Sequence, residues 1–191
     1  MRLIGTISPD RPLLVLAVRE EAAHLDDRLP VLLTGIGKIN AAAGLATVLA
    51  SGPKPSEIVN LGTAGALKSG WEGTHQVARV LQHDIDTPVL KALTGRVYGA
   101  PITVGDGEGP VLATGDLFVS DPGARDRLAL AADLVDMEGY AVATVAERAG
   151  VPVRLVKHVS DEAGADADRT WRESVDGCAK TLAVWVADHL H

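Results

Sequence analysis

Large aromatic side chains are scarce in this sequence. One Phe, two Tyr and three Trp make up 3% of its 191 residues. A core with so few rings must be packed with Ala, Val and Leu instead. Apolar residues account for 47% and charged residues for 23% of the chain, which is the balance of a globular protein. A chain of this length buries a core without disulfides or metals, so we expect a single domain over residues 1–191.

Cysteine is nearly absent from the sequence, and long apolar runs are missing. With only Cys178, the chain cannot form an internal disulfide, which is typical of proteins from a reducing compartment. Cys178 stands at helical spacing with Leu182 and Val186, so we expect it in the core. No run approaches the roughly 18 apolar residues of a membrane span. Residues 1–11 lack a signal-peptide pattern, and we expect a cytoplasmic protein.

Clustered positive charge and metal motifs are not found either. The net charge of −7 argues against a nucleic-acid surface. The six histidines lack metal-ligand spacing, and no Ser-His-Asp order is recognisable. The stretch TGIGKIN (34–40) fits neither a P-loop nor a dinucleotide fingerprint, because Asn40 stands at the third glycine position. It predicts a tight turn before a helix.

Apolar runs alternate with helical patterns along the chain. This order is typical of an α/β sheet that is covered on both faces. Residues 86–109 gather prolines and glycines and predict a loop with a short helix and a mobile tip. The final helix carries a capping-box pattern that begins at Thr170. The predicted strands, some with the turn that follows, are 12–18, 30–37, 57–65, 75–85, 110–116, 132–136 and 151–161, and the other predicted helices are 19–25, 38–51, 125–132 and 137–149.

Polar and glycine residues follow the predicted strands. Open α/β sheets bind ligands beyond the carboxyl ends of their strands, so we expect these residues to share one rim of the sheet. Three carboxylates, one aromatic ring and two glycine turns would then form a candidate site. The strand ends are Glu20-Glu21, Gly35–Gly37, Thr63–Gly65, Asp116–Phe118, Met137-Glu138 and Ser160-Asp161.

The carboxylate of Glu138 stands where a predicted strand becomes a helix. Its spacing allows two interpretations. An acid in the first turn of a helix is stabilised by the helix dipole. Alternatively, a carboxylate at this position accepts hydrogen bonds from a vicinal diol such as the ribose hydroxyls.

The other acids allow a similar choice. Ser160 and Asp161 begin a turn after a mostly apolar strand, but a carboxyl group partly withdrawn from water also acts as a proton donor near neutrality. Glu20 and Glu21 open a predicted helix, and the spacing does not decide which of them faces the rim. Separated carboxylates suit glycosidic cleavage, in which one protonates the leaving group and another activates water.

Six segments carry a specific combination of motifs: AVREEAA (17–23), TGIGKINAA (34–42), NLGTAGAL (60–67), ATGDLFVSD (113–121), VDMEGYAVA (135–143) and VKHVSDEA (156–163). In this order they resemble the nucleoside phosphorylase/nucleosidase superfamily, and most closely the bacterial methylthioadenosine/adenosylhomocysteine nucleosidases. The resemblance covers nearly the whole chain from Leu13. It implies a single-domain, three-layer α/β fold around a central mixed, barrel-like sheet. It also implies a homodimer, with no metal or organic cofactor.

The resemblance assigns roles position by position. It implies that Asp161 is the general acid at the purine and that Glu21 activates the attacking water. Glu138 would bind the ribose hydroxyls, with Met137 packed against the sugar. The remaining implied substrate-binding residues are Phe118, which would stack on the base, Val119, whose backbone would read the base edge, and Thr63, Gly65 and Ser160.

The reaction implied is hydrolysis of a purine nucleoside, with an adenosine derivative modified at the 5′ position as the expected substrate. A phosphorylase would need arginines for phosphate, whereas Arg19 stands beside two acids. Three alternatives stay open at this point: a phosphate-dependent phosphorylase, a futalosine-type hydrolase and a non-catalytic nucleoside-binding protein. Residues 86–109 are shorter than in the relatives, Tyr140 stands where smaller residues are common, and Lys157 replaces a common Arg.

Overall fold

The computed structural model describes residues 1–164 and 167–190. Within these residues the chain forms ten strands and five helices. The strands are β1 (Arg2–Ile4), β2 (Leu13–Leu16), β3 (Val31–Leu33), β4 (Ile58–Ala66), β5 (Thr74–Gln76), β6 (Arg79–Gln82), β7 (Ile102–Thr103), β8 (Val111–Thr114), β9 (Leu134–Asp136) and β10 (Val153–Asp161). The helices are α1 (Lys38–Ser51), α2 (Thr87–Thr94), α3 (Pro122–Leu128), α4 (Gly139–Ala149) and α5 (Ala167–His189).

The layers follow from the alternation of side chains along the strands. In β2, Leu13 and Val15 pack with α1 and α4, whereas Leu14 and Leu16 pack with α5 on the opposite face. Successive strand residues point to opposite faces of a sheet, so both faces of β2 are apolar and both are covered. The core is built from aliphatic side chains, and Cys178 is buried in it as expected. The predicted three-layer α/β arrangement is confirmed.

The central sheet is mixed and closes on itself. β4 pairs in parallel with β10, and β10 pairs antiparallel with β5. Val77 N–H bonds to Leu155 of β10, and the next residue, Ala78, donates to Pro110 at the start of β8. The chain therefore passes from one ladder to the next, and β6, β8 and β9 lead back to β4. This route is the predicted barrel-like sheet.

Several predicted strand and helix boundaries are wrong, and each error has its own physical reason. Residues 75–85 form two strands, because Val77 and Ala78 pair with different neighbours. Residues 19–25 form turns rather than a helix, with bonds spanning only three residues, and this conformation carries Glu21 inward while Glu20 stays exposed. Helix α5 begins at Ala167, so Thr170 lies inside it rather than at its cap. Strand β1 was not predicted, since three exposed residues at a sheet edge give little periodic signal.

The N-terminus of α4 is held by residues that precede it on the sheet. The Asp136 carboxylate accepts from Gly139 N–H at 2.8 Å, and the Thr114 hydroxyl accepts from Tyr140 N–H at 3.0 Å. These two bonds satisfy amide groups that a helix start leaves without helical partners. Val142 and Ala143 of α4 are buried, while Thr144 is only half-buried. Within the described residues no helix has the length and apolar character of a membrane span.

Candidate active site

A cavity of about 310 Å³ opens beyond the carboxyl ends of β2, β4, β9 and β10. This volume lies at the lower end of the range for small-molecule pockets. The strand-end argument predicted a site at this edge of the sheet. The nine residues to which the resemblance assigns a role all line the cavity: Glu21, Thr63, Gly65, Phe118, Val119, Met137, Glu138, Ser160 and Asp161. Of the other strand-end residues, Glu20, Gly35, Gly37 and Asp116 lie outside the lining.

Glu138 faces the cavity rather than capping its own helix. It is only 8% exposed, and its Oε1 accepts from the Gly37 N–H at 2.7 Å, at the start of α1. Burial, and then the negative charge of Asp136, raise the pKa of Glu138 to about 7, although Lys157 and the Gly37 amide oppose the shift. The cap interactions of α4 are supplied by Asp136 and Thr114, which leaves this carboxylate available for a ligand.

Gly37 makes this contact possible. Its φ of 94° lies in the left-handed region, and a Cβ at this position would stand 3.1 Å from a carboxylate oxygen of Asp116. Asp116 Oδ1 in turn accepts from Lys38 N–H at 2.8 Å. The backbone N–H groups of Gly37 and Lys38 thus bind two acids, Glu138 after β9 and Asp116 after β8. The predicted tight turn before α1 is present.

Glu21 is 5% exposed, so it is the acid of its pair that reaches the cavity. Its Oε1 accepts two hydrogen bonds from Thr63, from the backbone N–H at 2.8 Å and from the hydroxyl at 2.9 Å. The Thr63 hydroxyl oxygen also accepts from the indole N–H of Trp171 at 2.9 Å. Hydrogen bonds through Thr63 in the middle of β4 therefore connect the turn that carries Glu21 with the start of α5.

Asp161 is placed by an irregularity in β10. The register against β4 shifts between Val159 and Asp161, and such a bulge redirects the side chain next to it. The Asp161 carboxylate accepts from the Ser160 hydroxyl at 2.7 Å and from Ala163 N–H at 2.8 Å. A Cβ on Gly65 would lie 3.1 Å from Asp161 Oδ1, so the glycine lets the acid approach β4.

A buried ion pair lies behind these acids. The Lys157 ammonium is 2.9 Å from Asp136 Oδ2, and both side chains are almost fully inaccessible to solvent. Burial alone would lower the pKa of Lys157, but the carboxylates of Asp136, Glu138 and Glu21 outweigh it and raise the pKa. Lys157 is thus the positive counter-charge of a largely acidic site.

The rim of the cavity is apolar on one side and charged on the other. Ile36, Leu117 and Phe118 line it and are about half exposed or more. On the opposite side, α5 contributes Asp168 and Arg172, which form an exposed i, i+4 ion pair at 2.9 Å. An apolar wall with a few polar groups is typical of a pocket for an amphipathic small molecule.

Asp84 serves a structural purpose near this rim. It accepts from the Lys38 ammonium and from Asp116 N–H at 2.9 Å, and these bonds hold the pKa of Asp84 at about 2 although burial opposes the shift. The cluster fixes the loop that precedes Phe118 against the start of α1. Among the described residues no group of three or more His, Cys, Asp or Glu side chains is arranged to hold a metal ion.

Sequence reasoning missed the contribution of α5 to the site. Asp168, Trp171 and Arg172 line the cavity, and their spacing places them on one face of a helix. The spacing was visible in the sequence, but its target was not, because the Trp171–Thr63 bond joins residues 108 positions apart.

The chain is similar in sequence to known proteins. The sequence profile of the phosphorylase superfamily matches residues 24–188. A 5′-methylthioadenosine/S-adenosylhomocysteine nucleosidase from Marinomonas sp. (strain MWYL1) is 30% identical over 188 residues, which cover 84% of this chain and 79% of the relative. The nucleosidase of the same name from Bacillus thuringiensis (strain Al Hakam) is 30% identical over 176 residues, which cover 78% of this chain and 74% of that protein.

Solved structures share the fold. A Helicobacter pylori nucleosidase mutant with 5′-methylthioadenosine in its active site superposes with a TM-score of 0.81 at 21% identity, over 95% of this chain and 98% of that one. A futalosine hydrolase mutant from the same species gives a TM-score of 0.81 at 21% identity, over 93% and 97% of the two chains. The chain belongs to the phosphorylase superfamily, and within it to the nucleosidases.

Proposed function

We propose that this protein hydrolyses the N-glycosidic bond of a purine nucleoside, with an adenosine derivative modified at the 5′ position as substrate. The observation that carries the proposal is the presence of three separately held carboxylates, Glu21, Glu138 and Asp161, around one cavity. Each is fixed by neighbouring hydrogen-bond donors, so each can serve a different step. The relatives that are 30% identical carry the name of this activity.

The roles proposed for the acids are those that the family resemblance implies. Asp161 protonates the purine as the glycosidic bond breaks, and Ser160 orients its carboxyl group. Glu21 takes a proton from the attacking water. Glu138 accepts hydrogen bonds from the ribose hydroxyls, while Met137 packs beside the sugar. The positive charge that develops on the sugar is stabilised by the surrounding carboxylates.

The base-binding part of the proposal depends on the loop after β8. Phe118 is 48% exposed at the cavity rim, so its ring is free to stack on a base that enters there. Val119 is buried beside it and offers its backbone to the edge of the base. Gly65 of β4 has no Cβ, which allows Asp161 to approach the strand where the purine is proposed to bind.

Water, rather than phosphate, is the proposed acceptor. Of the described residues that line the cavity, Arg172 is the only arginine, and it is paired with Asp168. Lys157 is buried and bonded to Asp136, while Arg19 is exposed outside the lining. A phosphate ion carries almost two negative charges and would meet several carboxylates with little compensation.

Base release in phosphate-free buffer tests the proposal directly. The purified protein is offered 5′-methylthioadenosine, S-adenosylhomocysteine, adenosine, inosine and futalosine, and free base and sugar are measured by chromatography. We expect release of adenine together with a free ribose derivative, at a rate that added phosphate does not change. A strict need for phosphate, with a sugar 1-phosphate as product, would instead establish a phosphorylase.

Two further candidates are separated by the same panel. A futalosine hydrolase has the same overall fold, so preferential cleavage of futalosine would identify that substrate. A non-catalytic binding protein would give heat on titration with nucleoside and no free base. The presence of both Glu21 and Asp161 in the cavity supports an enzyme over this last candidate.

We also propose that residues 1–191 form one nucleosidase domain that works as a homodimer in the cytoplasm. Ile36, Leu117 and Phe118 are exposed at the cavity rim, and Ile39 is exposed three residues after Ile36; these side chains support a partner surface there. The single sheet includes strands from β1 to β10, which supports a single domain, and a lone free Cys178 suits a reducing compartment.

A further inference from the structure

Trp171 contacts the site from α5 in a way that the proposed reaction does not yet use. Its indole N–H donates to the Thr63 hydroxyl oxygen at 2.9 Å, and that hydroxyl is 2.9 Å from Glu21 Oε1. We propose that Trp171 is a positioning residue for Glu21 that acts through the Thr63 hydroxyl. The inference rests on the proposed function, in which Glu21 takes a proton from water.

The direction of the two hydrogen bonds is fixed by chemistry. An indole nitrogen only donates, so Thr63 Oγ1 accepts from Trp171. An ionised carboxylate only accepts, so the single hydroxyl proton of Thr63 is used toward Glu21. The indole therefore holds the hydroxyl oxygen in place, and the hydroxyl keeps its proton on the carboxylate. Such chains of hydrogen bonds reinforce one another in a partly buried site.

Both Thr63 donors meet the same oxygen of Glu21. The backbone N–H and the hydroxyl bond to Oε1 at 2.8 and 2.9 Å. Two donors on Oε1 fix the orientation of the carboxylate and leave Oε2 to accept a hydrogen bond from water. A carboxylate held in this way presents one defined oxygen to a water molecule in the cavity that it lines.

The side chain of Trp171 is well suited to this task. It is half-buried, and it projects from the start of α5 over the middle of β4. The charged groups that interact with Glu21 are Lys157 of β10 and Glu138 at the junction before α4. Those groups set the charge at the site, whereas the Trp171–Thr63 contact sets the geometry of the carboxylate.

A double-mutant cycle tests the inference. Trp171→Phe keeps a ring in the cavity but removes the N–H, and Thr63→Val keeps the shape but removes the hydroxyl. We expect Trp171→Phe to lower kcat about 3- to 10-fold, the equivalent of one hydrogen bond, with KM changed less than about 2-fold. Thr63→Val should lower kcat by about 10-fold or more. Adding Trp171→Phe to Thr63→Val should then change kcat less than about 2-fold.

Controls separate positioning from packing. Trp185→Phe changes another tryptophan of α5, one that packs against the core and stacks on His189, and it should leave kcat unchanged. Thr63→Ser keeps the hydroxyl and should restore most of the rate lost in Thr63→Val. Melting temperatures of all variants show whether each is folded.

The outcomes are distinct. Unchanged kcat in Trp171→Phe, or multiplicative losses in the double variant, would overturn the role of Trp171 while wild-type turnover stands. Wild-type protein that releases no base from any nucleoside of the panel would refute the proposed function, and this role with it. A rise in KM with unchanged kcat would mean that Trp171 only contacts substrate, and it too would overturn the inference.

Discussion

Two carboxylates at the junction of β9 and α4 have different tasks although they are two positions apart. Asp136 accepts from Gly139 N–H and pairs with Lys157, so it holds the helix start and the strand together. Glu138 points away from α4 and accepts from Gly37 N–H. Burial disfavours the ionised form of this carboxylate and raises its pKa to about 7, so the ionised side chain destabilises the fold. A buried acid that the helix does not need is typical of a functional site.

This cost predicts that Glu138→Gln stabilises the protein at alkaline pH. The folded-state pKa of about 7 exceeds the ordinary value of 4.5, so the folded protein binds more protons between these values. The stability contributed by Glu138 is present below about pH 4.5 and is lost as the pH rises through about 7. The Glu138→Gln variant has no such pH-dependent loss. The difference between its free energy of unfolding and that of wild type should therefore grow by up to about 3 kcal/mol between pH 5 and pH 8.

Urea unfolding at pH 5, 6.5 and 8 measures the difference. Glu147→Gln, on the exposed face of α4, is the matched control and should show no comparable pH trend. The same Glu138→Gln protein should bind nucleoside more weakly and turn it over more slowly, because an amide accepts from the ribose hydroxyls less strongly than a carboxylate. A difference in free energy of unfolding between variant and wild type that stays the same at all three pH values would argue against a buried acid at this position.

Asp161→Asn separates chemistry from binding. An amide has almost the same shape but cannot protonate the base, so base release should fall by about 100-fold or more. Nucleoside affinity, measured by calorimetry with the inactive variant, should stay within about 10-fold of the wild-type KM. Glu162→Gln changes the adjacent exposed acid and should leave both quantities unchanged. Retained turnover in Asp161→Asn would require another general acid.

At the scale of elements, Lys157 ties β10 to the end of β9. Its ammonium is buried against Asp136 and near Glu138 and Glu21. Lys157→Met removes a positive charge that opposes three acids there, and breaking a buried pair leaves its partner uncompensated. We expect a loss of about 3–5 kcal/mol in the free energy of unfolding, measured by urea denaturation at pH 8. Adding Asp136→Asn should restore part of it.

The exposed pair of Lys180 and Asp176 on α5 is the control for this experiment. Both side chains are more than half exposed, so Lys180→Met should change stability little. The opposite ranking, with Lys180→Met more harmful than Lys157→Met, would contradict the idea that the buried pair stabilises the fold.

The elements show which part of the fold a sequence can reveal. Helix 38–51 was predicted with its observed bounds, because glycine precedes it and prolines follow it. Residues 19–25 have a helical composition, yet they form turns that let Glu21 reach Thr63, since a tertiary contact outweighs a weak local propensity. Residues 75–85 read as one strand, since no local signal marks the change of partner at Val77 and Ala78.

The residues of the site also fall into those that the sequence could group together and those that it could not. Residues at strand ends could be grouped in advance, because strand direction in an α/β sheet fixes where they meet. The cavity lining contains Glu21, Glu138 and Asp161 from three distant parts of the chain. Trp171 could not be grouped with them, because the position of α5 over β4 depends on packing and not on the local pattern. The choice between Glu20 and Glu21 also needed coordinates, since one residue changes the direction of a side chain completely.

At the scale of the whole molecule, the apolar rim of the cavity carries the last prediction. Ile39 is 80% exposed at the start of α1, three residues after Ile36 of the cavity lining, and Leu117 and Phe118 on the same apolar side of the rim are also exposed. Isolated exposed apolar residues are ordinary, but a group around a cavity mouth indicates a partner. In a symmetric dimer each copy would contribute one Ile39, so two Ile39 side chains would be buried at the interface.

Ile39→Glu should therefore dissociate the proposed homodimer. Burying two Ile side chains contributes about 3 kcal/mol or more, so the dissociation constant should rise by about 100-fold or more. Light scattering after gel filtration measures the mass, and KM should rise in parallel because the mouth of each site loses its cover. Leu130→Glu changes a residue that is 89% exposed beyond α3 and should leave the dimer intact. A wild-type chain that stays monomeric at high concentration would refute the proposed homodimer, because the exposed apolar side chains would then have no second copy to cover them.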